Sequence, residues 1–166
     1  MPLRHINLFC AGVFLFSLLH AADAATGAVP FRKVIKPWKA EPGAELGFGW
    51  GEREAEGATW RWITHLEADL AVELEGGGDV KFSMRAAPMY LKARRQVLGL
   101  YVNGVFVAEW LCRDSTRFRT YETVIPGAMI NPGRNTLTLR AGYRKSLEPG
   151  GPPLAVAVER IDLASP

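Results

Sequence analysis

The sequence predicts an all-β chain, folded as a two-layer antiparallel β-sandwich or a barrel of about eight or nine strands. Three observations carry this. Short runs of period-two alternation recur from about residue 45 to residue 163. Glycine, proline and asparagine punctuate those runs at short spacing. No segment of the domain shows a convincing amphipathic helical period; Glu52 to Ala58 offers one short helical turn at most.

The elements follow in order. Arg4 and His5 precede an uncharged apolar run from Ile6 to Leu19. That run is shorter than the roughly 20 residues a spanning helix needs. Ala22-Asp23-Ala24 then supplies the small-x-small pattern of a cleavage site. Residues 1–24 are therefore expected to be a signal peptide, with an uncleaved anchor as the alternative. The chain is expected to be exported, periplasmic or secreted, with no membrane insertion after cleavage. Residues 25–44 carry Pro30, Pro37, Pro42 and Gly43 and read as an extended lead-in arm that contributes a first strand. Residues 45–166 form the sandwich domain.

Within it, Leu66, Ala68, Leu70, Val72 and Leu74 alternate with polar residues, and so do Val80, Phe82, Met84 and Ala86. Gly76-Gly77-Gly78 lies between, so the two runs read as a hairpin. Lys81 and Arg85 would then meet the outward acids of the preceding strand. Asn103-Gly104 separates two apolar runs and has the sequence of a type I′ turn. Phe118 to Ile125 is a further strand. Leu137, Leu139 and Ala141 point inward on the next. In the last strand the inward phase changes between Val158 and Ile161, which predicts a bulge near Arg160.

Composition narrows the chemistry. The chain has 20 Lys+Arg, 17 Asp+Glu and a formal net charge of +3. Cleavage would remove one residue of each sign, so the balance is too mild and too scattered for nucleic acid. The basic cluster Lys92, Arg94 and Arg95 reads as solvated surface. Cys10 would leave with the signal peptide, and Cys112 reads as a buried small hydrophobe with no internal disulfide partner. His65 would be the one remaining histidine. It has no matching serine motif and reads as a strand-end residue. One histidine and one distant cysteine do not make a zinc site, and no cofactor is expected. A structural calcium stays open, because scattered carboxylates and carbonyls suffice for it.

Three stretches together resemble the galactose-binding-like jelly rolls. They are Gly47-Phe48-Gly49-Trp50 with Glu54 and Trp60-Arg61-Trp62; Leu100 to Val107 around Val102-Asn103-Gly104; and Ile125 to Leu137 with Gly133-Arg134-Asn135. Similar motifs occur in accessory β-sandwich modules of bacterial envelope glycosyltransferases and polysaccharide proteins. The resemblance implies a jelly-roll fold and an association with envelope glycans, not a catalytic site.

Sugar recognition uses flat aromatic faces and planar hydrogen-bonding side chains. Trp60 and Trp62 share one strand parity, with Arg61 opposite; core packing is the competing reading for both tryptophans. Arg119 and Tyr121 share a parity on one strand, and Arg140 lies outward on another. If those faces coincide they form a polar platform, for which Tyr143 and Arg144 are further candidates. The candidate carbohydrate-binding set is Trp60, Trp62, Arg119, Tyr121 and Arg140. Glu54 and Arg61 are expected to form a structural pair. The expected function is an exported, non-catalytic module that binds a carbohydrate or assists envelope polysaccharide. A structural sandwich docking on an envelope protein is one alternative. A glycan hydrolase using carboxylates among Glu52, Glu54 and Glu56 is another.

Overall fold

The computed structural model describes residues 30–40, 45–52, 57–112 and 117–166. The expected signal peptide and Glu54 lie outside these residues, as does most of the expected turn at 52–58. Eleven strands are present among the described residues: β1 (Arg32–Ile35), β2 (Arg61–Ile63), β3 (Glu67–Leu74), β4 (Val80–Pro88), β5 (Gln96–Val102), β6 (Val105–Cys112), β7 (Arg119–Ile125), β8 (Gly133–Ala141), β9 (Lys145–Ser146), β10 (Pro153–Leu154) and β11 (Val156–Ala164). The one helical element there is a single 3₁₀ turn at Gly127–Met129.

Two antiparallel sheets form a jelly-roll-like sandwich. The first has the order β1-β11-β4-β7, with β2 also pairing β11; the second has the order β3-β8-β5-β6. Both inner faces follow from the alternation. Phe82, Met84, Ile161 and Leu163 face Leu70, Leu98, Leu100, Leu137 and Leu139, all buried in one core. This burial is the main driving force for folding. Trp110 of β6 reaches across the side of the sandwich and stacks on Phe82 of the opposite sheet, at 5.9 Å and 19°. Its indole N–H donates to the Glu122 carbonyl oxygen.

The lead-in arm does supply a strand, since β1 pairs β11 along its whole length. The β5–β6 turn places Asn103 at φ 51° and Gly104 at φ 82°, the positive pair of a type I′ turn. The register of β11 against β4 shifts between Val158 and Arg160, which is the expected bulge.

The expected β3–β4 hairpin does not form. Gly76 and Gly77, both at φ 81°, carry the chain from one sheet to the other. Crossing over buries the two apolar faces against each other; a hairpin would align them on one side of a single sheet. The outward acids of β3 meet β8 instead. Glu67 lies opposite Arg140 and Glu73 opposite Arg134, and Asp69 accepts a hydrogen bond from the Thr138 hydroxyl at 2.7 Å. Arg85 of β4 forms its ion pair with Glu159, the residue at the bulge of β11. Leu66, expected inward, precedes β3 and is exposed.

A strap joins the sheets. Residues 47–51 run between β3 of the second sheet and β2 of the first. Gly47 N–H donates to the Asp69 carbonyl and Asp69 N–H to the Phe48 carbonyl; Gly51 N–H donates to Trp62 and Thr64 N–H to Gly49. Gly49 sits at φ 89°, and a Cβ there would fall 1.8 Å from the Glu67 carbonyl oxygen. Only glycine fits. Gly49→Ala should destabilise the fold by ~3 kcal/mol, at the upper end of common single-site effects. Thermal denaturation would register this as a large drop in Tm, whereas Gly77→Ala, where a Cβ meets nothing within 4 Å, should cost only the ~1–2 kcal/mol of its left-handed backbone.

Candidate functional site

β2 is short, and its orientation is set by what it buries. Arg61 and Ile63 point into the protein, and Arg61 donates to the Ala40 carbonyl oxygen at 3.0 Å. Trp62 therefore points outward, where it is half-buried. The strap lies alongside, bridged at Trp50 and Ile63. Trp50 is held by its indole N–H, which donates to the Asp69 carbonyl at 2.8 Å. Gly51 permits this approach, since a Cβ would meet the Thr64 methyl at 2.8 Å.

Past β2, the Thr64 hydroxyl lies 3.3 Å from the Gly49 carbonyl and 3.2 Å from His65 Nδ1. The His65 ring packs on Phe48 at 4.5 Å. From the opposite wall Arg144 donates to the Thr64 carbonyl at 3.2 Å. Arg144 is positioned by its neighbour Tyr143, whose backbone N–H and C=O both bond the buried amide of Gln96, at 3.1 and 2.8 Å. The Tyr143 hydroxyl donates to the Met89 carbonyl at 2.7 Å.

The result is a cleft of about 590 Å³. It presents Trp50 and Trp62 as aromatic faces and Glu52, Thr64, His65 and Arg144 as polar groups, with Pro152 to Leu154 as the far wall. Trp62 also lines a second recess of about 280 Å³, which contains Trp60. Among the described lining residues Glu52 is the single carboxylate of the cleft. Among the described residues no group of three or more His, Cys, Asp and Glu is close enough to hold a metal ion.

The structure divides the sequence-derived site residues. Trp60 and Trp62 lie together beside these recesses. Arg119, Tyr121 and Arg140 do not join them, and the expected platform does not assemble, because β7 and β8 belong to different sheets. Tyr121 points into the core at 8% exposure, against Trp110. Arg119 is exposed at the start of β7. Arg140 lies on the outer face of the second sheet, bonded to Glu67 at 2.8 Å and 4.4 Å above the Tyr101 ring. Tyr143, a further candidate, is buried, while Arg144 does reach the cleft. Glu54, the expected partner of Arg61, lies outside the described residues. His65 and Thr64 were missed. The spacing Gly47-x-Gly49-x-Gly51 was the available signal, because alternating glycines mark a close backbone approach.

Comparison with known protein families and with curated proteins finds no match. Solved structures do show the fold. The CBM36-1 domain of a multidomain xylanase from the hindgut metagenome of Trinervitermes trinervoides is similar over 80% of this chain and 96% of its own, with a TM-score of 0.51 and 10% identity. The GH26-CBM35 β-(1,4)-mannanase of Podospora anserina is similar over 81% of this chain, with a TM-score of 0.51 and 12% identity. Dimeric latent PorU from Porphyromonas gingivalis is similar over 82%, with a TM-score of 0.51 and 10% identity. The chain spans 28% of the mannanase and 12% of PorU. At such identities the likeness is one of fold. The protein is a β-sandwich whose fold is similar to that of the CBM36-1 domain over nearly the whole of that domain.

Burial pushes the Tyr121 hydroxyl well above the ordinary tyrosine range, and the neighbouring Cys112 adds to the rise. Burial likewise raises the Cys112 thiol. Both groups hold their protons more tightly folded than unfolded. Their contribution to stability is therefore complete below the unfolded values and is lost as pH rises past them. Denaturation free energy should begin to fall as pH passes the ordinary cysteine value, and more steeply above pH ~10 where unfolded tyrosine ionises. In Tyr121→Phe the decline above that pH should be shallower by up to about 1.4 kcal/mol per pH unit. Urea titrations at stepped alkaline pH would measure it.

Proposed function

We propose that this protein is an exported, non-catalytic carbohydrate-binding module of the cell envelope, of the galactose-binding-like jelly-roll type, with its glycan in the Trp50–Trp62 cleft. The observation that carries the reading is the cleft's composition: aromatic faces beside one guanidinium, one carboxylate, one imidazole and one hydroxyl. Aromatic faces take the C–H side of a pyranose, and the polar groups read its hydroxyls. The resemblance in fold to carbohydrate-binding modules supports the same reading. Export is supported by the apolar run from Ile6 to Leu19 and the Ala22-Asp23-Ala24 motif. Of the sequence-derived residues, Trp62 and the further candidate Arg144 line the cleft, and Trp60 lies in the adjoining recess.

A glycan array followed by calorimetry on the exported chain tests this. Trp62→Ala should weaken binding at least tenfold, and Arg144→Ala severalfold, with the fold intact by circular dichroism. No binding to any envelope polysaccharide would overturn the reading. N-terminal sequencing of the exported protein should begin near Ala25.

One observation favours a second reading. β6 is the outer strand of its sheet, and Val105, Phe106 and Leu111 on it are each about half exposed, at 51%. An open apolar edge of this kind can pair with an envelope protein. Capture of one partner from envelope extracts, lost in Phe106→Lys, would favour docking over sugar binding.

A further inference from the structure

The second recess differs in chemistry from the cleft it adjoins. It is a trough on the outer face of the first sheet. Its floor is Ala87 and Ala157, which lie directly opposite each other on β4 and β11, and Trp62 of β2 flanks Ala157 on the other side. Two small residues side by side leave a depression between larger neighbours. Trp60 and Phe118 form one wall, in contact at 5.9 Å. Leu147, between β9 and β10, stands at the mouth with 69% exposure. Apart from the indole N–H groups of Trp60 and Trp62, none of the described lining side chains carries a hydrogen-bonding nitrogen or oxygen. A sugar seated there would bury most of its hydroxyls without partners, which is unfavourable. A hydrocarbon has no hydroxyls to strand and would cover the exposed leucine.

The cleft on the other side of Trp62 has the opposite character, with Glu52, Thr64, His65 and Arg144. The two recesses share Trp62 as a common wall. We propose that the ligand is amphiphilic: a glycan head occupies the cleft, and an alkyl or acyl chain joined to it lies in the trough, with Trp62 between them. The head-group half of this rests on the carbohydrate reading above. The chain half rests on the apolar lining and on the Trp62 wall that the two recesses share. The chemical class is a glycolipid or an acylated glycan.

Burial of a methylene is worth about 0.8 kcal/mol, or roughly a fourfold gain in affinity. Calorimetry with alkyl β-glucosides from methyl to decyl, each below its micelle concentration, reads this directly. Affinity should rise about fourfold per methylene and level off once the trough is full. Leu147→Asp, a change on an exposed loop, should flatten the series while retention on envelope polysaccharide is unchanged. A glucoside brominated near the chain end should quench tryptophan fluorescence in the wild type and much less in Leu147→Asp.

A flat series in the wild type overturns the proposal, even where polysaccharide is retained. A flat series together with a dimer that Leu147→Asp dissociates overturns it too, and assigns the trough to a second copy. A rising series with equal affinity for alkyl polyethylene glycols of the same chain length overturns the joined glycan head and leaves the trough a plain alkyl site, while retention on envelope polysaccharide decides the carbohydrate reading separately.

Discussion

The close approach at Gly49 is the constraint on which the candidate site depends. The strap from Gly47 to Gly51 must bond β3 on one side and β2 on the other, so its backbone passes against the Glu67 carbonyl with no room for a side chain. Three consequences follow from that passage. β2 is held at the end of β11, with Trp62 outward. Trp50 is turned toward the same cleft. Thr64 and His65 are brought beside both. The two sheets are therefore joined by hydrogen bonds as well as by the core between them, and the recognition residues sit on that join.

Two buried amides do comparable work in the loops. Gln96 accepts from the N–H groups of Val97, Gly142 and Tyr143 and donates to the carbonyls of Tyr143 and Ala155. It thereby holds the loop that presents Arg144. Asn135 accepts from Asn103 and from the Asn131 N–H, and donates to the Asn131 and Gly133 carbonyls. Asn103 in turn accepts from the Thr136 N–H. The Val-Asn-Gly turn and the Gly-x-Asn motif are thus one network, in which every buried polar atom named here has a partner. This gives a physical reason for motifs that read in the sequence only as a resemblance. Their residues are structural, and they lie at the turn end of β5 and β6, apart from the cleft.

How much was legible varied with the kind of information each residue carries. Alternation gave the inward faces of β3, β4 and β8 residue by residue, because a strand's side chains obey a period of two whatever its partner. The bulge in β11 was visible as a change of phase. The Asn103-Gly104 turn was visible because few residues accept positive φ. The β3–β4 connection was misread because three glycines permit a tight turn and a crossover equally well. The charge pattern held the missing clue, since the acids at Glu67 and Glu73 match the arginines at Arg140 and Arg134. The platform around Tyr121 failed for a related reason. Shared parity says which residues on one strand face the same way, but not which sheet that strand joins.

The sequence by itself therefore determined the fold class, the longer strands, the Asn103-Gly104 turn and the inward sides of β3, β4 and β8, since all of these follow from local sterics and from the burial of one apolar face. It also carried the apolar N-terminal run and a poor complement of residues for nucleophilic or zinc chemistry. Only the tertiary structure decided which strands are neighbours, and with that which aromatics meet polar groups. Trp62 stands between a polar cleft and an apolar trough because β2, the glycine strap, Arg144 and the paired alanines of β4 and β11 converge there. Those residues are spread over more than a hundred positions of the chain. No local pattern encodes such a convergence; the sum of long-range pairings does.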